Sequence, residues 1–261
     1  MAAPGGNDQS ISWFLRDTLA MTKRNIIKKF RVPQILVFLM IQPVLFVFLF
    51  RYVFGGAIRI PGQDYVDYLM PGIFVQTATF GMISTAIGLA EDKGSGLIER
   101  LKSLPMTRSA VLSGRVLADT MFTILVTLVM LCIGYAVGFD SHTNPWMVSL
   151  GVVMLVSFGF GMAWIFAVIG LSVANSEAAQ AAAFPLIAPL AFASNLFVDP
   201  ATMPGWLQWW ARNQPVSATA NAVRACMLGG PTLSKVLIAL AWTLGITAVV
   251  APAAVRRYRR V

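Results

Sequence analysis

The stretch YLMPGIFVQTATFGMISTAIGLA, residues 68–90, holds 23 residues without a charge and runs straight into EDKGSGLIERLKSLPMTR, residues 91–108. A helix rises about 1.5 Å per residue, so about 20 residues cross a hydrocarbon core of about 30 Å. The first segment is long enough to span a membrane. The second is charged and broken by Gly94, Gly96 and Pro105, so it is a loop at the membrane surface. Similar uncharged runs cover Val32–Phe50, Thr120–Phe139, Trp146–Ala174, Ala178–Val198 and Val236–Val255. Buried helices of soluble proteins rarely run so far without a charge. Pro and Gly within such runs are tolerated better in lipid than in water.

The whole chain agrees. Of its 261 residues 57% are hydrophobic and 12% are charged, with a mean hydropathy of +0.71. A soluble domain carries about 25% charged residues, and half that fraction cannot coat a globule of this size. An all-α membrane protein with six transmembrane helices is expected. The spans are placed at 32–54, 67–90, 108–139, 146–172, 178–198 and 233–255.

The net charge of +9 could suggest nucleic acid, but the basic residues flank the uncharged runs instead of forming a soluble face. Fifteen of the 20 lie on one predicted side: six between Arg16 and Arg31, five between Lys93 and Arg115, and four between Arg256 and Arg260. The other side holds Arg51, Arg59, Arg212, Arg224 and Lys235. By the positive-inside rule both termini are cytoplasmic, and no nucleic-acid partner is needed to explain the charge. The first run starts late and is followed by Phe50-Arg51-Tyr52 instead of a cleavage site, so it reads as a retained span.

Three segments are more than simple spans. Over 10–31, the less polar positions Ile11, Phe14, Leu15, Thr18, Leu19, Ile26, Ile27 and Phe30 fall at helical spacing, with Arg16, Lys23, Arg24 and Lys28 mainly elsewhere on the wheel. This predicts an amphipathic helix in the cytoplasmic interface, its basic face toward anionic lipid headgroups. Over 91–107, Leu97, Ile98, Leu101 and Leu104 repeat at helical spacing around Glu99, Arg100 and Lys102. A helix of about two turns is unstable alone and needs a partner surface, either the chain's own helix ends or another protein. Over 199–231, Pro and Gly divide the outer stretch into short pieces, and Trp206, Trp209 and Trp210 share one face. Indoles favour the membrane boundary, so re-entrant or interfacial short helices are expected there. The tail covers 256–261.

Much chemistry is missing. There is no G-x-x-x-x-G-K-[ST] phosphate loop, so ATP hydrolysis by that mechanism is excluded. The single histidine, His142, sits in an outer turn, and no Cys/His cluster has metal spacing. Neither a catalytic residue nor a metal ligand is therefore assigned. Cys132 and Cys226 read as packing residues. Arg115 and Asp119 form an i,i+4 pair at the cytoplasmic start of the third span. They read as structural, which leaves ion-coupled transport without a relay.

The layout resembles the membrane subunits of ABC-2 type exporters, in particular the daunorubicin-resistance permease group. The resemblance covers nearly the whole chain and is carried locally by DKGSGLIERLKSLPMTRSAVLSGR and NQPVSATANAVRACMLGGP. It implies that the loop helix is a coupling helix docking on a separate ATPase, with Glu91, Leu97, Glu99, Arg100, Leu101, Leu104 and Pro105 at that contact. The family's commoner E-x-x-G-T appears here with Ser95 in place of Thr. The resemblance also implies two ATPase copies that bring ATP and Mg, no cofactor in this chain, and a second permease subunit, identical or related. It further implies a bacterial plasma-membrane location, export by alternating access, and Trp206, Trp209 and Trp210 bordering an outer gate.

The apolar spans suit a hydrophobic drug or a lipid as cargo, with Gln42, Gln76, Thr77, Thr79 and Ser84 as scattered polar groups. No path-lining residue is assigned from sequence. A polysaccharide or glycolipid permease and a non-transporting membrane scaffold or sensor remain the alternatives.

Overall fold

In the computed structural model, which describes residues 7–31, 33–54, 64–103 and 107–260, all regular structure is helical and no strand occurs among the described residues. The helices are α1 (Asn7–Phe30), α2 (Pro33–Phe48), α3 (Tyr65–Gly81), α4 (Ile83–Gly94), α5 (Leu97–Lys102) and α6 (Arg108–Ala136). They continue as α7 (Pro145–Ser172), α8 (Ser176–Phe192), α9 (Gly205–Asn213), α10 (Pro215–Leu228) and α11 (Thr232–Arg260). A π-helical segment, Leu49–Phe54, prolongs α2, and a 3-10 turn occupies Pro200–Thr202.

Among the described residues, four helical units are long and apolar enough to cross a membrane: Tyr65–Gly94, in which α3 and α4 run nearly end to end, Ser109–Ala136, Pro145–Ser172 and Thr232–Arg260. At the first expected span, the apolar helix among the described residues is Met40–Val53, within a helical run from Pro33 to Phe54. The fifth, expected over 178–198, ends as a helix at Phe192. Beyond it, side chains take up the backbone carbonyls that a longer helix would have paired internally. The Gln214 amide donates to the carbonyls of Leu190 at 2.9 Å and Ala193 at 3.0 Å.

The α3–α4 unit is interrupted at Met82, whose N–H reaches the Thr79 carbonyl at 3.3 Å, one residue short of the α-helical partner. The Ser84 hydroxyl donates to the Gly81 carbonyl at 2.8 Å and helps hold the break. Threonines within the spans return their hydroxyls to the preceding turn, as Thr77 does to Ile73 and Thr79 to Val75, both at 2.7 Å. Their polarity is thus satisfied without water.

Helix α7 packs against α4, α6, α10 and α11. Small residues allow close approach in lipid, where packing rather than water exclusion draws helices together. A Cβ on Gly170 would collide with the Ala86 backbone of α4. The expected outer region divides unevenly. Helix α10 is buried along most of its length between α3, α7 and α11, whereas α9 is largely exposed.

Helix α1 leans on α6, and its buried stripe is Thr18, Met21, Thr22 and Asn25. Leu15, Leu19, Ile27 and Phe30, on the apolar face, are exposed. The helix therefore has three faces: a small polar stripe against the bundle, an apolar face left open, and a basic face. Small side chains win the bundle contact because they let the two helix backbones come close.

Candidate functional site

The interhelical hairpin is built on Gly96, whose φ of +68° is the left-handed conformation that glycine adopts without a Cβ penalty. It ends the turn after α4 and starts α5. Ile98 turns inward and is 1% exposed. Leu101 rests partly against the core, Leu97 is half-buried, and Glu91, Glu99 and Arg100 are exposed. Leu104 and Pro105 lie outside the described residues.

The hairpin's base is braced on two sides. The Lys93 ammonium donates to the carbonyls of Leu171 and Val173, at 3.4 and 3.1 Å, where α7 ends. At the far end, Asp17 of α1 accepts the Thr107 N–H at 3.0 Å and the Thr107 hydroxyl at 3.4 Å just before α6 begins.

Beside the hairpin lies a cluster of ions joining α1, α4 and α6. Asp119 is 1% exposed. Its carboxylate pairs with Lys29 at 2.6 Å and with Arg115 at 3.3 Å, and it accepts the Thr85 hydroxyl at 2.5 Å. Arg115 also reaches Asp92 at 3.6 Å and donates to the Ser84 carbonyl at 2.9 Å. Lys28 closes the outer edge against Asp92 at 3.3 Å and Glu91 at 3.5 Å, with Arg24 4.0 Å from Asp92. A lone charge deep in a span costs about 2.5–3.5 kcal/mol on insertion scales. Here every buried charge faces an opposite one.

The sequence pair Arg115–Asp119 is thus present within a larger assembly. Arg24 and Lys28, expected to face lipid headgroups, turn instead, beside Lys29, to carboxylates of α4 and α6. Their helical spacing placed them on a basic face, but only the fold brings Asp92 and Asp119 opposite it.

Between α1, α2, α3, α4, α6 and α8 lies a cavity of about 410 Å³. Its charged end is formed by Lys28, Lys29, Glu91, Arg115 and Asp119. The wall also carries uncharged polar groups, among them Asn25, Gln42, Gln76, Thr77, Thr123, Thr127 and Gln180. Phe80, Ile83, Ile87, Phe122 and Val126 supply apolar surface. Four of the five scattered polar residues picked out in the sequence, Gln42, Gln76, Thr77 and Ser84, meet at this wall. Thr79 is not among its lining. Gln76 is 2% exposed, and neither atom of its amide has a hydrogen-bond partner.

On the opposite side of the bundle, Arg224 of α10 forms a junction that sequence reasoning missed. It is 7% exposed. Its guanidinium donates to the carbonyls of Tyr68, Asn195 and Leu196 at 3.0, 2.8 and 2.9 Å and stacks 3.7 Å from the centre of the Tyr68 ring. The Tyr68 hydroxyl donates to Asn195 and Val198 carbonyls at 2.9 and 3.2 Å. These bonds satisfy the irregular backbone after α8, a requirement at membrane depth. The available signal was an arginine set in the apolar run NAVRACML.

Trp206, Trp209 and Trp210 point outward from α9, with exposures of 75%, 68% and 41%. None of them lines the cavity. Cys132 and Cys226 are free thiols, the first exposed and the second buried.

Comparison with known proteins gives a consistent picture. The chain is 32% identical over 227 residues to a daunorubicin resistance ABC transporter permease protein of Streptomyces coeruleorubidus, covering 87% of this chain and 80% of that one. It is 29% identical over 256 residues to a probable doxorubicin resistance ABC transporter permease protein of Mycobacterium tuberculosis, covering 98% and 92%. A putative transport permease of Cyanophora paradoxa is 26% identical over 222 residues, covering 81% and 74%. The family model for ABC-2 type transporters matches residues 16–228, from α1 through the hairpin, the ion cluster and the Arg224 junction. This chain belongs to the ABC-2 type transporter family.

Proposed function

We propose that this chain is the membrane permease subunit of an ATP-driven exporter that moves a hydrophobic or amphipathic drug, or a lipid, out of the cytoplasm or the inner leaflet. The observation that carries this reading is the braced hairpin. Its helix α5 keeps Glu99 and Arg100 exposed and Leu97 only half-buried, while Lys93 and the ion cluster tie its base to α7, α1 and α6. A short helix that is held firmly at its base and open at its tip suits docking on another protein. An ATPase subunit, present in two copies and carrying ATP and Mg, is that partner.

The drug-resistance permeases among the relatives support a drug-like cargo. The membrane domain has six crossings, α2 with its π segment and α8 serving as the short ones, and both termini are cytoplasmic. Two permease subunits work together, because one subunit is too small to enclose a lipid-sized path. Rocking of the two bundles gives alternating access, with the tryptophans of α9 at the outer boundary. The setting is a bacterial plasma membrane.

The test is co-purification. The double substitution Leu97→Glu and Leu101→Glu places charge on the docking tip. It is expected to release the ATPase subunit from the membrane complex while the permease remains in the membrane fraction. An ATPase that stays bound at wild-type level would refute the assignment of the hairpin.

A further inference from the structure

We infer that the cavity between α1, α4 and α6 is the binding chamber for the cargo, and that Gln76 reads a neutral polar group on an otherwise apolar molecule. This rests on the permease reading and names the chemistry its site would select. A volume of about 410 Å³ falls within the range of about 300–1,000 Å³ usual for small-molecule pockets.

The direction of entry follows from the lining. Glu91 and Gln76 both contribute to the wall, and they are fifteen positions apart along one helical unit, about 22 Å of helix rise. Gln76 is twelve positions from Asp64 at the other end of that unit, about 18 Å away. The chamber therefore runs from the hairpin-side surface to about the middle of the bilayer.

The charged end is already satisfied. Lys29 and Arg115 face Asp119, Arg115 also faces Asp92, and Lys28 faces Glu91 and Asp92. These ionisable groups pair with one another, and none of them hydrogen-bonds to Gln76. An ion lodged there would lack a counter-charge, so the bound polar group is neutral.

Gln76 supplies what such a group needs. Its amide offers a donor and an acceptor, and both are buried without a partner. Buried polar atoms are nearly always paired, so an orphaned amide on the wall of a chamber marks a place for a ligand. Thr77, its neighbour, has already committed its hydroxyl to Ile73 and does not compete. Phe80, one turn along, and Phe122 across the chamber give apolar surface for the body of the molecule.

The test uses the full chain co-expressed with its ATPase partner and reconstituted in phosphatidylethanolamine and phosphatidylglycerol nanodiscs. Two photoreactive probes are compared: an N-octylbenzamide bearing an aryl diazirine, and the octylbenzene carrying the same diazirine but no amide. The amide probe is expected to label the α3, α4 and α6 peptides around Phe80, Ile83 and Phe122 roughly tenfold more than the hydrocarbon, the difference one ligand hydrogen bond makes. Gln76→Leu should bring that ratio close to one. Gly81→Leu is the second variant. A Cβ there meets no atom within 4 Å, and the residue lines the chamber, so the added side chain should obstruct both probes without a packing clash.

Amide labelling confined to exposed faces such as α11, or a preference that survives Gln76→Leu, would overturn the inference. ATPase retention is read in the same samples. Chamber labelling lost while the ATPase remains bound counts against the chamber alone. Chamber labelling present in a wild-type chain that never retains an ATPase counts against the permease reading alone.

Discussion

Replacing Asp119 by leucine removes the centre of the ion cluster and leaves its cations unevenly served. Arg115 keeps Asp92 at 3.6 Å and the Ser84 carbonyl at 2.9 Å. Lys29, whose side chain is 16% exposed, keeps only the face of the Phe122 ring, 4.6 Å from its ammonium. Breaking a buried pair by deleting one partner costs about 3–5 kcal/mol, and a desolvated cation–π contact returns about 2 kcal/mol at best. Asp119→Leu should therefore destabilise the bundle by about 1–3 kcal/mol. Adding Lys29→Met removes the stranded ammonium and puts an apolar side chain beside Phe122. The pair of substitutions should recover most of the loss, giving a coupling of about 2 kcal/mol between the two positions, within the range for contacting residues. The assay is reversible unfolding in mixed micelles of rising dodecyl sulfate content, followed by far-ultraviolet circular dichroism. Strictly additive effects, within about 0.5 kcal/mol, would refute the view that Lys29 and Asp119 act as one buried pair.

Two further outcomes follow from the packing. Arg224→Lys cannot serve three carbonyls from one plane while lying on the Tyr68 ring. It should cost about 1.5–3 kcal/mol and expose residues 193–199 to limited proteolysis; an unchanged cleavage pattern would argue against the junction. Gly170→Leu drives a side chain into the Ala86 backbone and should lower stability by about 1–3 kcal/mol or more, seen as a drop in Tm in detergent. Gly205→Leu, with open space around its Cα, should leave Tm nearly unchanged.

The sequence made the helical membrane architecture legible because length and absence of charge suffice for it. Residues 68–90 could only be accommodated in lipid. The hairpin was legible from Gly94, Gly96 and the leucine spacing, yet the inward-facing residue is Ile98, which no periodicity argument separates from Leu97. The contact of α1 with the bundle was not legible for a physical reason: in lipid an apolar side chain gains little by exchanging lipid for protein. Thr18, Thr22 and Asn25 therefore take the bundle contact and Leu15 and Leu19 do not. The ion cluster and the Arg224 junction join residues far apart in the chain, such as Lys28 with Asp92 and Arg224 with Tyr68. Such partnerships leave no trace in local spacing. The end of the fifth helix at Phe192, and the Gln214 side chain that serves the carbonyls beyond it, were not legible, because nothing in the uncharged run 178–198 marks that position.

The interruption at Met82 divides one long rod into two stiff arms. The first arm, α3, is riveted to α10 through Tyr68 and Arg224, while the second arm, α4, ends at the hairpin. Twelve residues of α4 make a lever of about 18 Å. A tilt of about 10° about its fulcrum displaces the lever's tip by about 3 Å, and the fulcrum itself forms part of the chamber wall. On the proposed permease reading, a push delivered at the tip would be converted into a change of width beside Phe80 and Ile83, with the far half of the rod left standing.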